Sequence, residues 1–402
     1  MKKKTVQSPP VSSPPEAAIA ALLARLQSAA AAVGRPVALM EVCGTHTMSA
    51  FRSGLHSLLP ANVRLLSGPG CPVCVTSQGD IDLMLSLARL PGTALCTYGD
   101  MIRVPGQGGS LESARARGAD IRIMYSTLEA VECARSNPAR QVILCAVGFE
   151  TTAPATAAAI LAAHQLGLKN FSVFASHKRV LPAMLALLES GDVRVDGFLC
   201  PGHVSAIIGA EVYRPICERY KLPCVIGGFE DSGMLAAITR LVELIRDRQP
   251  ELVNEYRDAV SADGNSTAMA LLERVFEAVT VPWRALGAIP DSGMALREEF
   301  ASYDARRRFQ LGSPKEREIP GCLCGKVITG AVTPPQCKLF GKACTPINPI
   351  GPCMVSSEGT CQAWFKYARL GTGAAGLHGA AGAGAAGGKL KAPVTEAGEV
   401  MP

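Results

Sequence analysis

The sequence predicts an α/β protein with two doubly wound parallel-sheet domains of related topology and a small C-terminal cysteine-rich region. Of the 402 residues, 48% are hydrophobic and only 5% are aromatic. This balance suits helices packed on buried parallel strands better than an antiparallel sandwich. Short apolar runs alternate with polar loops and helical stretches along much of the chain, as in doubly wound sheets. After Arg308 the composition changes to Gly, Pro and Cys, which predicts a region organised by ligands rather than by a large core.

The predicted elements follow in order along the chain. An Ala- and Leu-rich helix spans 16–33, and the run VALMEV that follows it is a buried strand. Further strands, each followed by a polar loop and a helix, are predicted at 63–66, 94–98, 121–125, 142–147, 171–175, 197–200 and 223–226. From 235 to 286 the apolar spacing is helical, so we expect the sheets to have ended by then.

This order of elements predicts five segments. The N-terminal segment, 1–15, and the Gly/Ala-rich tail, 371–402, lack side chains to bury and are expected to be disordered. We expect a first α/β domain over 16–140 and a second over 141–260. A helical and cysteine-rich domain is expected over 261–370.

Charge and hydropathy narrow the classes of function. The formal net charge is +6, but Lys2, Lys3 and Lys4 supply three of those charges, so the remaining excess is too small to indicate nucleic acid. The N-terminus lacks the apolar run of a secretory signal, and Gly, Pro or a charge interrupts every candidate membrane span. We therefore expect a cytoplasmic protein with no membrane partner, whose fifteen cysteines serve metal binding or redox chemistry.

Six cysteines lie close together near the C-terminus, with the spacing C-x-C-x12-C-x6-C-x8-C-x7-C. They are Cys322, Cys324, Cys337, Cys344, Cys353 and Cys361. Sites built from sulfur alone are typical of zinc or of iron-sulfur clusters. The stretch lacks the C-x2-C pairs common in zinc sites, and inert buried thiols would not need such density. A metal site is therefore predicted, and four ligands would leave two cysteines as a redox pair.

A cysteine and a histidine follow the first predicted strand, where α/β proteins place their ligands. Cys43 lies in the sequence CGTHT, at a point where a helix should begin, and His46 follows it. A helix N-terminus and a nearby imidazolium would both favour the Cys43 thiolate, which is the form that attacks and binds metals. An equally weighted alternative gives His46 a structural hydrogen bond within the loop.

A C-x2-C pair follows the next predicted strand. Cys71 and Cys74 lie in the sequence GPGCPVC, just before a helix expected to begin near Thr76. Sulfurs at i and i+3 lie close enough to form a disulfide, so the pair is a candidate redox-active dithiol. The alternative is half of a zinc site, but the chain has no second C-x2-C to complete one.

Two more polar loops follow strands and could face the same crevice as Cys43. They carry Glu150, in the sequence GFETT, and His203, in the sequence PGHVS. Their alternative role is helix capping, for which the neighbouring Thr and Ser residues are suitable. The other cysteines lie in apolar strands or helices and are expected to be core thiols: Cys96, Cys133, Cys145, Cys200, Cys217 and Cys224.

Together, the motifs CGTHT, GPGCPVC, VGFETTAP and PGHVSAIIG and the C-terminal cysteine stretch resemble the HypD family of NiFe-hydrogenase maturation factors over about 37–367. The resemblance implies a scaffold on which the iron-cyanide-carbonyl unit, Fe(CN)2CO, is assembled. It implies a small HypC-like partner chaperone that shares the iron and a HypE-like partner that donates the cyanide. It also implies a 4Fe-4S cluster in the domain over 261–370.

The family pattern assigns roles to individual residues. It implies that Cys43 is the ligand of the iron that receives cyanide and carbon monoxide, with His46 beside it. The implied cluster ligands are Cys322, Cys337, Cys344 and Cys361. The implied redox dithiols are Cys71 with Cys74 and Cys324 with Cys353.

These roles suggest a mechanism and leave two alternatives. Electrons would pass from the cluster through the second dithiol to the first, with Glu150 and His203 as candidate proton carriers near the iron. One alternative is a stand-alone thiol-disulfide oxidoreductase resembling ferredoxin:thioredoxin reductase, in which a cluster passes electrons to a neighbouring disulfide. The other is a zinc-stabilised interaction module without a redox role.

Overall fold

The computed structural model describes residues 16–313 and 316–368 of the chain. The predictions of disorder for 1–15 and 371–402 fall outside the described residues. Within them, the predicted α/β class is confirmed: two parallel sheets are flanked by helices, and a cysteine-rich region follows.

Every strand that the sequence predicts is present. The strands are β1 (Val37–Glu41), β2 (Val63–Ser67), β3 (Thr93–Thr97), β4 (Asp120–Ile123), β5 (Gln141–Gly148), β6 (Phe171–His177), β7 (Gly197–Pro201), β8 (Cys224–Gly227), β9 (Leu252–Asn254), β10 (Phe276–Trp283) and β11 (Gly287–Leu296). Strands β1, β3, β7 and β8 are buried along their whole length. They read as continuous apolar runs because both faces of a parallel sheet are covered.

Strands β1 to β9 form two parallel sheets, and the chain leaves the first sheet to build the second before it returns to the first. Sheet I has the order β2-β1-β7-β8-β9, and sheet II has the order β4-β3-β5-β6. Sheet I takes its strands from 37–67 and 197–254, and sheet II takes its strands from 93–177. The boundary expected at residue 140 therefore does not separate the sheets. An apolar run indicates a strand, but tertiary packing chooses its partner, so a linear division misses this return of the chain.

Helices connect the strands and cover the sheets. The α-helices are α1 (Glu16–Val33), α2 (Gly44–Arg52), α3 (Leu55–Leu58), α4 (Pro72–Val75), α5 (Gln78–Ala88), α6 (Leu111–Ala116), α7 (Thr127–Ser136), α8 (Ala153–Gln165), α9 (Val180–Ser190), α10 (Gly202–Ile208), α11 (Arg214–Tyr220), α12 (Asp231–Asp247), α13 (Ser266–Val275), α14 (Ala305–Arg308), α15 (Cys324–Ile328), α16 (Pro352–Val355) and α17 (Thr360–Ala363). Single 3-10 turns lie at Gly99–Arg103, Glu211–Tyr213, Glu298–Tyr303 and Pro334–Gln336, and a π-helical turn lies at Trp364–Ala368. Ser77, Ser110 and Ser126 cap α5, α6 and α7 by accepting backbone N–H bonds.

The prediction that 235–286 is helical was wrong in part. β9 follows α12 and adds a parallel strand to sheet I, so the sheet has not ended there. Helix α13 stops at Val275, and β10 and β11 then form an antiparallel hairpin that pairs Phe276 with Leu296. The helical spacing of ALLERVFEAV continues past the end of α13. The β-branched Val-Thr-Val that comes next is the strand signal that this spacing obscured.

A central core lies between the sheets and is shared by both. Alternating side chains point to opposite faces of a strand, so Met40 and Ile143 pack in the central core. Their neighbours pack outward, Leu39 against α1 and α12 and Leu144 against α8. Cysteines of the predicted sites also belong to the central core, namely Cys71, Cys74, Cys324, Cys344, Cys353 and Cys361. One packed core therefore joins the regions that the sequence analysis singled out.

Helix α1 is long and apolar enough to cross a membrane by length and composition, and no other described helix is. Its inner face packs in the same core as α12, with Leu26, Ala29 and Ala30 buried. At its surface, Arg25 forms a 2.9 Å ion pair with Glu243 of α12. In this structure α1 is a packed layer of sheet I.

Candidate functional site

Cys43 lies at the carboxyl end of β1, where the chain turns into α2. Its thiol is half-buried and lines a crevice between the two sheets. Burial raises the pKa of Cys43 to about 12, and the negative charge of Glu358 adds to the rise. The expected thiolate is therefore not the resting form of the free chain. A bound cation would have to displace the thiol proton.

His46 does not supply the imidazolium expected beside Cys43. The ring is fully buried, and its Nε2 lies 3.2 Å from the Gly227 carbonyl oxygen and 3.0 Å from that of Gly228. Nε2 therefore donates, and the ring packs 4.6 Å from that of Phe229. Burial lowers the pKa of His46 to about 4, so the imidazole is neutral. This geometry fits the alternative, structural role, in which His46 ties α2 to the loop after β8.

Cys71 and Cys74 form a disulfide across α4, with their Cα atoms 5.2 Å apart. The loop before them touches the Cys43 loop directly, because the Gly44 N–H donates to the Gly70 carbonyl at 3.0 Å. A Cβ atom on Gly70 would lie 2.1 Å from the Cys43 nitrogen, so only glycine fits this contact. The structure thus brings the two N-terminal sulfur motifs together.

The crevice that Cys43 lines is formed at the carboxyl ends of strands from both sheets, where α/β folds bind ligands. The strand ends and adjoining residues that line it include Val42, Tyr98, Gly148 and Pro201. His203 lines it as well, and its ring stacks on Phe229 with centroids 3.8 Å apart. Partial burial lowers the pKa of His203. Cys43 and His203 therefore share one crevice, as expected.

Glu150 does not line this crevice, contrary to expectation. Its side chain is buried, and Oε1 accepts a hydrogen bond from the Val180 N–H at the start of α9. Oε2 has no hydrogen-bond partner among the described residues. Burial raises the pKa of Glu150 to about 7. The adjacent Phe149 and Thr151 line the crevice instead, so Glu150 lies behind its wall.

The C-terminal cysteines line one cavity, which we call the cysteine pocket: Cys322, Cys324, Cys337, Cys344, Cys353 and Cys361. The rest of its lining is Leu339, Phe340, Gly351 and Met354. Neighbouring thiols are hydrogen-bonded in series, Cys322 with Cys324, Cys324 with Cys353, and Cys353 with Cys361. Residues separated by up to 39 positions thus meet at one dry site.

This donor set fits an iron-sulfur cluster. Thiols surrounded by apolar side chains are the ligands that such clusters take. The cysteine pocket brings six thiols together, which is more than the four that one such cluster needs.

A loop of the cysteine-rich region, 356–358, also lines the crevice. Asp100 accepts a hydrogen bond from the Ser357 N–H at 2.8 Å, and the Thr45 hydroxyl donates to the Glu358 carboxylate at 2.8 Å. Asp100 and Glu358 are site residues that were not predicted from the sequence. The available signals were a polar residue after β3 and an acidic residue between two pocket cysteines. This loop joins the cysteine pocket to the crevice.

The remaining six cysteines are buried, as predicted for core thiols. Some of them have polar neighbours, since the Arg122 guanidinium donates to the Cys133 sulfur at 3.1 Å and the thiols of Cys217 and Cys224 are hydrogen-bonded. None of the six lines the crevice or the cysteine pocket.

Comparisons with known proteins point to one family. The HypD family model, described as the hydrogenase formation hypA family, matches residues 17–368. The chain is 48% identical to hydrogenase maturation factor HypD of Azotobacter vinelandii over 361 residues, which are 88% of this chain and 95% of the relative. It is 44% identical to HypD of Cupriavidus necator over 345 residues, 84% of this chain and 91% of the relative. It is 42% identical to HypD of Rhodobacter capsulatus over 355 residues, 86% of this chain and 94% of the relative. The chain therefore belongs to the HypD family of hydrogenase maturation factors.

Proposed function

We propose that the chain is the cytoplasmic scaffold and redox protein on which the Fe(CN)2CO unit of NiFe-hydrogenases is assembled. Cys43 binds the iron that is being modified, together with a thiolate of a HypC-like partner, and a HypE-like partner delivers the cyanide. One observation carries this proposal: the segments that hold the three sulfur sites pack against one another. The Cys43 loop touches the loop before Cys71 at Gly70, and helix α4 with the disulfide packs against α15 and α16 of the cysteine pocket.

The crevice provides what a cargo iron needs. Cys43 offers one sulfur at an open strand end, which leaves room for a second sulfur from a partner. Ferrous iron that carries strong-field ligands is well served by soft thiolates. Iron binding removes the Cys43 proton, and the neutral imidazole of His203 in the same crevice is a suitable acceptor for it.

The cysteine pocket holds a resident 4Fe-4S cluster in this proposal, and the cluster supplies single electrons when it is bound. Its ligands are Cys322, Cys337, Cys344 and Cys361. Cys324 and Cys353 form the second dithiol, as the family pattern implies, and these two thiols are neighbours in the pocket.

The two dithiols exchange oxidation state in a balanced step. Reduction of the Cys71–Cys74 disulfide takes up two electrons and two protons and yields two thiols. Oxidation of the Cys324–Cys353 dithiol releases the same electrons and protons as its own S–S bond forms. The reduced Cys71 and Cys74 then lie beside the Cys43 loop, where the ligands of the iron are added.

A stand-alone thiol-disulfide oxidoreductase is the second candidate function. The disulfide packed beside a cysteine pocket favours it, as in ferredoxin:thioredoxin reductase. A reductase of protein substrates must expose its disulfide to a partner, however, because exchange proceeds by direct attack of one sulfur on another. Cys71 is 6% exposed and Cys74 is 0% exposed. This burial favours the scaffold function, in which the disulfide receives its electrons from another dithiol of the same chain.

Infrared spectroscopy of the protein purified without oxygen and with its HypC-like partner tests the proposal. We expect cyanide and carbonyl stretching bands in the wild-type complex. Cys43→Ala should lose these bands and hydrogenase maturation altogether, while the visible spectrum of the cluster stays, because Cys43 lies outside the cysteine pocket. Cys217→Ala, at a buried thiol outside both sites, is the matched control and should keep both signals.

Two results would contradict the proposal. One is a wild-type complex that contains no iron-bound cyanide or carbonyl yet turns over a disulfide substrate, which would favour the reductase. The other is a Cys43→Ala protein that loses its cluster spectrum, which would place this thiol in the wrong site.

A further inference from the structure

The turn of the β10–β11 hairpin lies between the helix that carries the disulfide and the cysteine pocket. On one side, the Arg284 N–H donates to the Val75 carbonyl at 3.0 Å, at the end of α4. On the other side, a Cβ atom on Gly325 would lie 2.5 Å from the Ala285 Cβ, so glycine has to follow Cys324 at this contact. The turn therefore touches both thiol sites of the proposed electron path.

The side chain of Arg284 is buried and donates hydrogen bonds to uncharged groups. It is 8% exposed, its Nε donates to the Cys74 carbonyl at 3.1 Å, and its Nη1 donates to Gln78 Oε1 at 3.2 Å. Nη2 has no hydrogen-bond partner among the described residues. None of the ion pairs formed within 16–313 and 316–368 includes Arg284. A full positive charge is thus enclosed without a carboxylate partner.

Packing places Arg284 next to the cysteine pocket. Ala285, its neighbour in the turn, meets Gly325, which directly follows Cys324. Helix α4, whose Cys74 carbonyl accepts the Arg284 hydrogen bond, packs against α15 and α16, which carry Cys324 and Cys353. Arg284 therefore lies at the junction of the disulfide helix and the pocket.

A buried guanidinium without an anion is costly, because an unpaired charge inside a protein loses its hydration without compensation. Arginine cannot escape this cost by losing its proton. A negatively charged group bound beside Arg284 would compensate its charge. An iron-sulfur cluster with its thiolates is such an anion, and the lining of the cysteine pocket contains no cationic side chain of its own.

We propose that Arg284 is the charge-balancing residue of the cysteine pocket, whose guanidinium stabilises the anionic, thiolate-bound cluster and favours its reduced, more negative state most. This inference rests on the proposed function, because it takes the cluster to be resident. Arg284 also holds the backbone of Cys74, so the same side chain links the pocket to the disulfide. It is a positioning residue and touches no reacting atom.

The test is a redox titration of the cluster in the holoprotein, in which electron paramagnetic resonance measures the reduced fraction at each potential. Arg284→Gln should make the midpoint potential more negative by at least about 59 mV, which is a tenfold change in the equilibrium constant of a one-electron reduction. Arg284→Lys keeps the charge and should stay close to the wild type. Iron and sulfide analysis accompanies each titration, so that the potential refers to an intact cluster.

Arg308 provides the matched control. It also lacks an ion pair among the described residues and donates to the Phe171 carbonyl at 2.9 Å and to Gln141 Oε1 at 3.2 Å. The two acceptors belong to the first residues of β6 and β5. These amino-terminal ends of the strands lie opposite the carboxyl ends that form the crevice. Arg308→Gln should leave the potential unchanged. If Arg284→Gln does not fold, Arg284→Met replaces it, because Met keeps the aliphatic length without a polar group to bury.

The outcomes separate this inference from the function on which it rests. A wild-type protein that binds no cluster would overturn both. A wild-type protein with a cluster, together with an uncharged Arg284 variant of unchanged potential, would overturn the inference alone. A shift in Arg284→Lys as large as that in Arg284→Gln would also overturn it, since it would show a packing role rather than a charge role.

Discussion

The crevice and the cysteine pocket are both lined by thiols, but they are built differently. The crevice forms where parallel strands end, and β1, which leads to Cys43, is paired on both sides, with β2 and with β7. The cysteine pocket is built from turns and from the helices α15, α16 and α17, which have only four or five residues. Helices that short are not stable by themselves.

This difference indicates which site the protein can hold alone. The crevice keeps its shape through backbone pairing and through packed cores on either side. We expect the pocket instead to depend on ligand bonds to fix its turns, as small metal domains do. Experiments that remove the iron or strain the crevice can test this difference between the two sites.

Removal of iron should loosen the cysteine pocket and spare the crevice. After anaerobic chelation, we expect amide hydrogen exchange in 321–368 to rise by about a hundredfold or more, since short helices open at little cost without their ligands. Strands β1, β3 and β5 should remain protected. Mass spectrometry follows both regions in one sample. An equal loss of protection in the sheets would contradict the division.

Gly70→Ala should disturb the contact between the two N-terminal sulfur motifs. The added Cβ would meet the Cys43 nitrogen at 2.1 Å and the Val42 carbonyl carbon at 2.3 Å, and backbone atoms cannot move aside as a side chain can. We expect the free energy of unfolding to fall by more than about 3 kcal/mol. Urea unfolding of the anaerobic protein measures this change.

Gly312→Ala is the control for that variant. A Cβ atom at Gly312 would meet nothing within 4 Å, so the free energy of unfolding should change by less than about 0.5 kcal/mol. A Gly70→Ala protein as stable as the control would show that the Cys43 loop yields to its neighbour, and that the crevice is less rigid than its strand pairing indicates.

Glu150 behind the crevice wall should make stability depend on pH. Burial raises its pKa from 4.5 to about 7, so the folded chain holds a proton that the unfolded chain releases. The contribution of Glu150 to stability should therefore fall as the pH rises from about 4.5 to about 7, by about 3 kcal/mol over the whole window.

Glu150→Gln should remove this contribution, because the amide keeps an acceptor for the Val180 N–H and has no proton to release. Burial also raises the pKa of Glu41, to about 8, so part of the wild-type slope should remain in the variant. Urea midpoints of the wild type and the variant between pH 5 and 8 measure the difference between the two slopes. Equal slopes in the two proteins would contradict a raised pKa for Glu150.

The positions of the strands could be predicted, but not their partners. Runs such as VILCAV at 142–147 are apolar throughout because both faces of a parallel sheet are covered. The hairpin of β10 and β11 gave no such signal, since exposed and buried residues mix along it and its turn is held by contacts with α4. That turn carries Arg284, so the element that the sequence analysis missed is also the one that links the two thiol sites.

The sequence indicated which residues are candidates for the site and where they lie along the chain. It did not indicate the directions in which some of their side chains point. Cys43, the Cys71–Cys74 pair and the pocket cysteines follow strands or cluster in the chain, which a sequence displays directly. The directions of His46 and Glu150 depend on the Gly228 carbonyl and the Val180 N–H, which come from distant segments. The raised pKa of Cys43 has the same origin, because burial by other elements decides it.

Mössbauer spectroscopy of 57Fe-labelled protein, prepared without oxygen together with its HypC-like partner, tests the central claim most directly. We predict two kinds of iron, one from a cluster and one low-spin and single, and only the single iron should disappear in Cys43→Ala. A spectrum with one kind of iron, or a Cys43→Ala protein that loses both, would contradict the account of two separate thiol sites.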